Sequence, residues 1–450
     1  MNILPLLKHL NLLIDIPFTF IFLSVSIILT IVTGFPQFCA LRRCLRLLCR
    51  GIERTESTRL HTIGAFNALF TSMATSIGIG TIVGPSLAIV AGGPGALFWL
   101  LTYIFFGSVT KMVEVTFSVY YRSRTKQGDI LGGPMQYLAM VHPTLAAWYG
   151  FSTMFLFAGW SGIQAKALAE ILAHKGVHEL FTGCLLAAFV LIVLIGGAKR
   201  VSAVASKLVP LMFILYVTFC CWILALHASL LPEVFRLILS SILSPTAPMG
   251  GFLGATVFAA IREGTYKGVF ITESGMGTAS IPHAMSDVEH PIDQGILALF
   301  SGVADSFLCF LSGILVLISG IWKTGVFSNA LLFTVFESQL PIIGPAFFIT
   351  CIILFISTTA LGNAFNGGQS FAALTKYRWL NWYYLLVALV MVLSSTVQVP
   401  LIWALMDLVL PLVALPNLIG LMVLAFTRSD VLRYKATPEY SSIIREQPVQ

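Results

Sequence analysis

The sequence predicts an all-α polytopic membrane protein of about 11 transmembrane helices, arranged as a five-plus-five inverted repeat with one extra N-terminal helix. Three observations carry this. Hydrophobic residues fill 57% of the 450 positions and charged residues only 10%, where soluble domains average roughly 25% charged. Apolar runs of spanning length, roughly 20 residues, recur along the whole chain. Two of those runs are too long and too broken for one straight helix, and they hold the same place in two successive sets of five.

The elements follow in order. The first run, 16–38, has its basic flank on the C-terminal side and reads as a membrane anchor with its N-terminus outside, not as a cleaved leader. Ten more follow, at about 62–91, 96–120, 144–172, 181–196, 203–227, 249–283, 294–320, 343–365, 380–397 and 401–426. The expected division is therefore 1–61 as N-terminal helix and basic linker, 62–228 and 249–427 as the two repeats, and 428–450 as the tail. Five spans per repeat is an odd number, so the second set enters the membrane from the opposite face.

The net charge of +7 invites a nucleic-acid reading, but its distribution excludes one. Arg42, Arg43, Arg46, Arg50, Arg54 and Arg59 follow the first run, and Arg122, Arg124 and Lys126 the third. Lys199, Arg200 and Lys207 follow the fifth, Lys376 and Arg378 the ninth, and Arg428, Arg433, Lys435 and Arg445 lie in the tail. The loops between hold few basic residues: Lys175, Arg236 and Lys323. By the positive-inside rule the rich set is cytoplasmic, which puts the C-terminus inside a multi-pass cell-membrane protein. Eight scattered cysteines match neither a metal-ligand spacing nor a disulfide framework and read as small apolar residues.

The first broken run would be roughly 45 Å long as a continuous helix. It is interrupted by Ser76-Ile77-Gly78-Ile79-Gly80-Thr81-Ile82-Val83-Gly84-Pro85. Glycine costs about 1 kcal/mol and proline about 3 kcal/mol relative to alanine inside a helix. Unpaired backbone in hydrocarbon survives only where it lines a polar cavity. The run at 249–283 is expected to break at Arg262-Glu263-Gly264 and again at Glu273-Ser274-Gly275-Met276-Gly277. Broken helices at matching places in inverted halves point to a secondary transporter's site at the membrane midplane. The competing reading of the glycines is close helix packing through small residues.

The motifs resemble the alanine or glycine:cation symporter family. Gly78-Ile79-Gly80-Thr81-Ile82-Val83-Gly84 is followed by Gly92-Gly93-Pro94-Gly95-Ala96-Leu97-Phe98-Trp99. Lys111-Met112-Val113-Glu114, Gly132-Gly133-Pro134-Met135-Gln136-Tyr137, Gly196-Gly197-Ala198-Lys199-Arg200 and Val209-Pro210 come next. Gly268-Val269-Phe270-Ile271-Thr272-Glu273-Ser274-Gly275-Met276-Gly277 resembles the family's central block, and His290-Pro291-Ile292-Asp293-Gln294-Gly295 and Pro416-Asn417-Leu418-Ile419 extend the likeness, which covers about 60–425. The resemblance implies the leucine-transporter-like fold and sodium-driven uptake of small neutral amino acids such as alanine or glycine. Three positions depart from the family: Thr81 and Thr272-Glu273-Ser274 stand where asparagine, or asparagine and alanine, are usual, and Asn363-Ala364-Phe365 follows Gly362 in place of a Trp-Tyr pair. Thr81 keeps an oxygen but loses an amide that both donates and accepts, and Asn363 in place of tryptophan makes a larger, more polar pocket.

The candidate site follows from these motifs. Backbone N–H groups around Gly78, Ile79, Gly80 and Thr81 are expected to meet the substrate carboxylate, helped by the helix dipole. Ala74 and Ile77 offer carbonyls to sodium, and by similarity to the fold's shared cation site Thr358 and Thr359 supply hydroxyls, since sodium is a hard cation that favours oxygen. The competing reading for the threonines is back-bonding within their own helix. Gln164, near Trp160, is a candidate for the amino group or carboxylate, or for an interhelical hydrogen bond, and Asn363 joins the substrate set. Glu273, with Gly275 and Gly277, reads as a gating element toward the cytoplasmic end or as a loop cap. Lys111 with Glu114, and Lys166 with Glu170, are expected to pair locally on one helix face. Asp305 and Asp407 are costly in a membrane unless paired; with Glu273 they keep open a proton-coupled alternative. The chain has no HExxH, Gly-x-Ser-x-Gly or P-loop, so it is expected not to be an enzyme or an ATP-driven pump, and nothing in it resembles a channel's selectivity filter.

Overall fold

The computed structural model describes residues 4–53, 62–124, 130–243, 257–376 and 378–432. Lipid leaves the backbone no water to bond, so each apolar run satisfies its own N–H and C=O groups by coiling. Helix α1 (Leu4–Val32) starts well before the apolar run at 16–38 and holds Pro17 in its interior. It closes in a left-handed turn at Gly34 and Phe35, followed by α2 (Pro36–Cys39) and the basic α3 (Leu41–Glu53). The first long run divides into α4 (Ala65–Ser76) and α5 (Ile79–Gly92), after which comes α6 (Gly95–Tyr120). A small antiparallel ribbon, β1 (Ser123–Arg124) with β2 (Ile130–Leu131), and the short α7 (Pro134–Val141) precede α8 (Pro143–Ala173). Then come α9 (Glu179–Leu194), α10 (Gly197–Leu226) and α11 (Leu231–Ser241).

The second set opens with α12 (Val257–Thr272) and α13 (Ser280–Ala284), followed by α14 (Pro291–Ser319) and α15 (Leu331–Gln339). It ends with α16 (Gly344–Thr375), α17 (Leu380–Ser394) and α18 (Val399–Thr427). Among the described residues seven helices are long and apolar enough to cross a membrane, α4 and α5 counting as one, and α9 and α17 are shorter apolar helices. Arg54, Arg59, Lys126, the start of the 249–283 run at 249–256 and most of the tail, 433–450, lie outside the described residues.

One expected break is absent. α12 runs straight through Arg262-Glu263-Gly264, and Gly264 is there for packing. A Cβ at that position would stand 2.5 Å from the Ala96 carbonyl oxygen and 2.7 Å from the Leu100 nitrogen, so only glycine lets α12 lie on the backbone of α6. The interruption between α12 and α13 begins at Glu273, where Glu273, Gly275 and Gly277 all adopt positive φ (57°, 84° and 75°). That conformation is disfavoured for residues with a Cβ, and it turns the chain out of the helix.

Packing brings the two interrupted helices together. α12 lies against α5 and α13 against α4, while α6 and α14 back the pair, α8 packs on α16 and α18, and α1 leans on α6, α12 and α18. A backbone bridge ties the entrance of α4 to the exit of α13: Ile63 N–H donates to Met285 O at 3.0 Å, and Asp287 N–H to Ile63 O at 3.1 Å. Large apolar side chains such as Ile195, Phe181, Ile214 and Leu239 face outward, as a lipid-facing surface requires.

Candidate functional site

The first break is confined to two residues. α4 ends at Ser76, Ile77 leaves the helical region (φ −85°, ψ 83°), and Gly78 is extended (φ −138°, ψ −151°). Gly78 lies so close to α16 that a Cβ would stand 2.4 Å from Thr359 Oγ1. Thr81 Oγ1 donates to Ser76 O at 2.6 Å and so satisfies a carbonyl freed by the break. Ile79 N–H donates to Gln164 Oε1 at 3.4 Å. The first i−4 bond of α5 runs from Ile82 N–H to Gly78 O at 3.2 Å, so the N–H groups of Gly80 and Thr81 have no backbone acceptor among the described residues, as helix starts require. Pro85 is helical and lies inside α5. Proline has no N–H to give Thr81 O, and Cys309 Sγ approaches that oxygen instead, at 3.6 Å.

Three oxygens meet where α4 ends. Thr359 Oγ1 donates to Ala74 O at 2.8 Å and to Ile77 O at 3.1 Å, and all three residues are buried. A neutral set of hard oxygens from two elements, one of them freed by a break, suits a monovalent hard cation. Thr358 is not part of it. Its hydroxyl donates back to Leu354 O (2.9 Å) and Phe355 O (3.0 Å) and touches Met212 Sδ at 3.5 Å, which is back-bonding within α16.

A narrow cavity lies against this break, with Gly78, Gly80, Gln164 and Asn363 in its wall together with Thr75, Ser76 and Thr359. Asn363 Oδ1 and Glu273 Oε1 are buried there without a hydrogen-bond partner among the described residues. Thr81 is buried too, but its hydroxyl is committed to Ser76 O. Glu273 therefore sits across the cavity from the first break. The left-handed turn carries its carboxylate inward, where Oε2 accepts from Thr278 Oγ1 at 2.6 Å.

Gly275 and Gly277 stand behind the cavity, held by groups that sequence reasoning did not assign. Gly277 N–H donates to Glu114 Oε1 at 3.0 Å, and Asn417 Nδ2 donates to Glu114 Oε1 at 2.8 Å and to Gly275 O at 2.9 Å. Tyr137 OH donates to Asn417 Oδ1 at 2.5 Å. Tyr103 OH and Tyr149 OH donate to the freed carbonyls of Ser274 (2.8 Å) and Met276 (2.9 Å). Phe270 also enters the cavity wall. Its ring lies 5.1 Å from Trp160 and 4.8 Å from Trp403, and Lys267 Nζ sits 3.9 Å from the Trp403 centroid. The available signal was tyrosine and carboxylate placed in otherwise apolar runs, which marks buried polar partners without naming them.

The expected local ion pairs do not form. Lys111 pairs with Asp305 at 3.9 Å, while Glu114 serves the second break. Lys166 Nζ pairs with Glu179 at 2.9 Å, and Glu170 accepts from Ser328 Oγ (2.7 Å) and Asn329 Nδ2 (3.0 Å). On an exposed helix a pair three or four residues apart gains only about 0.2–0.5 kcal/mol. Neighbouring elements outcompete that wherever a carboxylate must be satisfied away from water. Asp407 has Lys267, Arg262, Glu263 and Asp15 as charged neighbours and is not in the cavity wall.

Comparison with known proteins gives the family and the fold. The model of the sodium:alanine symporter family matches residues 4–443. An uncharacterized transporter of Haemophilus influenzae is 32% identical over 414 residues, covering 90% of each chain. Sodium/alanine symporter AgcS of Methanococcus maripaludis is 30% identical over 416 residues, again 90% of each, and the probable sodium/glutamine symporter GlnT of Bacillus subtilis is 29% identical over 412 residues, 90% of this chain and 84% of that one. Among solved structures, MhsT in complex with L-phenylalanine superposes with a TM-score of 0.58 at 15% identity, over 80% of this chain and 89% of that one. A sodium-coupled sialic acid symporter gives 0.51 at 13% identity, over 86% and 84%. These likenesses establish the leucine-transporter-like fold. The family model spans nearly the whole chain, and the chain belongs to the sodium:alanine symporter family, whose members are membrane transporters and not enzymes.

Proposed function

We propose that this protein carries a small neutral amino acid, of the alanine or glycine type, into the cell together with sodium by alternating access. The observation that carries the reading is the single hydroxyl of Thr359 spanning Ala74 O and Ile77 O beside the cavity. Sodium taken there would join α4 to α16 and hold the Gly78 break in its binding shape. The substrate carboxylate would face the N–H groups of Gly80 and Thr81 at the positive end of α5. Its ammonium group would face Glu273 Oε1, with Gln164 and Asn363 completing the polar wall. Phe270 packs directly over Gly80, and this narrowness supports a small substrate. In the cell membrane the N-terminus would lie outside and the tail inside, following the loop charges. A four-helix bundle would then rock against its scaffold and release both inside, driven by the ligands' different affinities for the two states.

The test is uptake of labelled alanine and glycine into proteoliposomes, with sodium and proton gradients imposed separately. Accumulation that follows the sodium gradient is expected. Accumulation driven by a pH gradient alone would transfer the coupling role to protons at Glu273 or Asp305, and equal accumulation with no gradient would remove the symport reading.

A further inference from the structure

Behind the first break lies a buried charge that the transport reading leaves unused. Lys111 and Asp305 are both fully buried, with Nζ and Oδ2 3.9 Å apart. Among the described residues neither Lys111 Nζ nor Asp305 Oδ2 makes a hydrogen bond. An ammonium group without acceptors in a membrane interior is costly, so its presence calls for a reason. The other carboxylate oxygen, Oδ1, accepts from Ser76 Oγ at 3.4 Å, and Ser76 O in turn holds Thr81 Oγ1. Asp305 is therefore fastened to the last residue of α4, between the two residues that offer carbonyls to sodium.

The groups facing Lys111 are Glu114 on its own helix, Asp305 from α14, and Glu273 and His283 from the second interrupted helix. Glu114 holds Gly277 and Glu273 holds Thr278. One cation thus stands among three carboxylates, each fastened to one of the two breaks. A carboxylate beside a break with freed carbonyls is a natural second cation position, and here a covalently attached ammonium already supplies the charge.

We propose that Lys111 is a positioning residue whose ammonium group acts as a fixed internal cation for Asp305, in the place a second transported ion would take. Coupling is then limited to one sodium, at the Ala74, Ile77 and Thr359 oxygens. This rests on the sodium reading above. The test is direct binding of radioactive sodium to the purified, monodisperse protein, which requires no transport. Wild type is expected to bind one ion. Lys111→Gln frees Asp305 and is expected to bind two, with the sodium dependence of uptake steepening accordingly. The Lys111→Gln, Asp305→Asn double variant is expected to return to one, and Lys111→Arg, which keeps the charge, to stay at one. A wild type that binds two, a Lys111→Gln protein that still binds one, or a Lys111→Arg protein that binds two would overturn the inference. A wild type that binds none would defeat the sodium reading itself, and this inference with it.

Discussion

Thr359→Val tests the cation assignment most directly. Valine keeps the branched shape that fills the space beside Gly78, where a Cβ would come within 2.4 Å of the hydroxyl, but it removes the oxygen spanning Ala74 O and Ile77 O at 2.8 and 3.1 Å. A polar contact to a charged group contributes about 1.5–3 kcal/mol. At 1.4 kcal/mol per tenfold, the sodium concentration for half-maximal alanine uptake should rise about 10- to 140-fold. Uptake at saturating sodium should recover most of its rate, and Thr359→Ser should stay near wild type. Thr358→Val is the internal control, because that hydroxyl is spent on Leu354 O and Phe355 O and its loss should leave the sodium requirement unchanged. An unaltered requirement in Thr359→Val, or an equal rise in both valine variants, would refute the assignment.

Other consequences concern the breaks and the packing around them. Glu114→Ala strips Gly277 N–H of its acceptor and should cost about 1–3 kcal/mol, seen as a lower unfolding midpoint in detergent; Glu114→Gln keeps an acceptor oxygen and should lose less, so equal losses would argue against the network. Gly264→Ala places a methyl 2.5 Å from the Ala96 carbonyl, backbone that cannot swing aside, and should destabilise by about 1–3 kcal/mol; wild-type thermal stability would contradict the close α12–α6 contact. Gly80→Leu drives a side chain into the Phe270 ring, 2.5 Å from a Cβ. It should abolish alanine binding while membrane insertion continues, and retained binding would remove Gly80 from the site.

Local chemistry made much of this legible. The lengths of the apolar runs marked most helix bounds, because a helix in lipid must bond its own backbone, and Gly78 marked the first break because glycine is where a helix yields and another backbone can approach. The same rule misread Arg262-Glu263-Gly264, since Gly264 serves a helix contact and the local sequence is identical whether a glycine bends the chain or seats a neighbour. Thr358 and Thr359 show the limit most sharply. They are adjacent and chemically equal, and only the rotation of α16 against α4 sends one hydroxyl to Ala74 and Ile77 and the other into its own helix. Lys111 and Glu114 had each other as nearest charged partners along the chain, yet Asp305 and the Gly277 break took them. By itself, then, the sequence determined a helical membrane protein with a break at Gly78. Which side chains complete the site was decided by the tertiary structure, because buried polar groups bind whatever partner packing brings within reach across hundreds of residues.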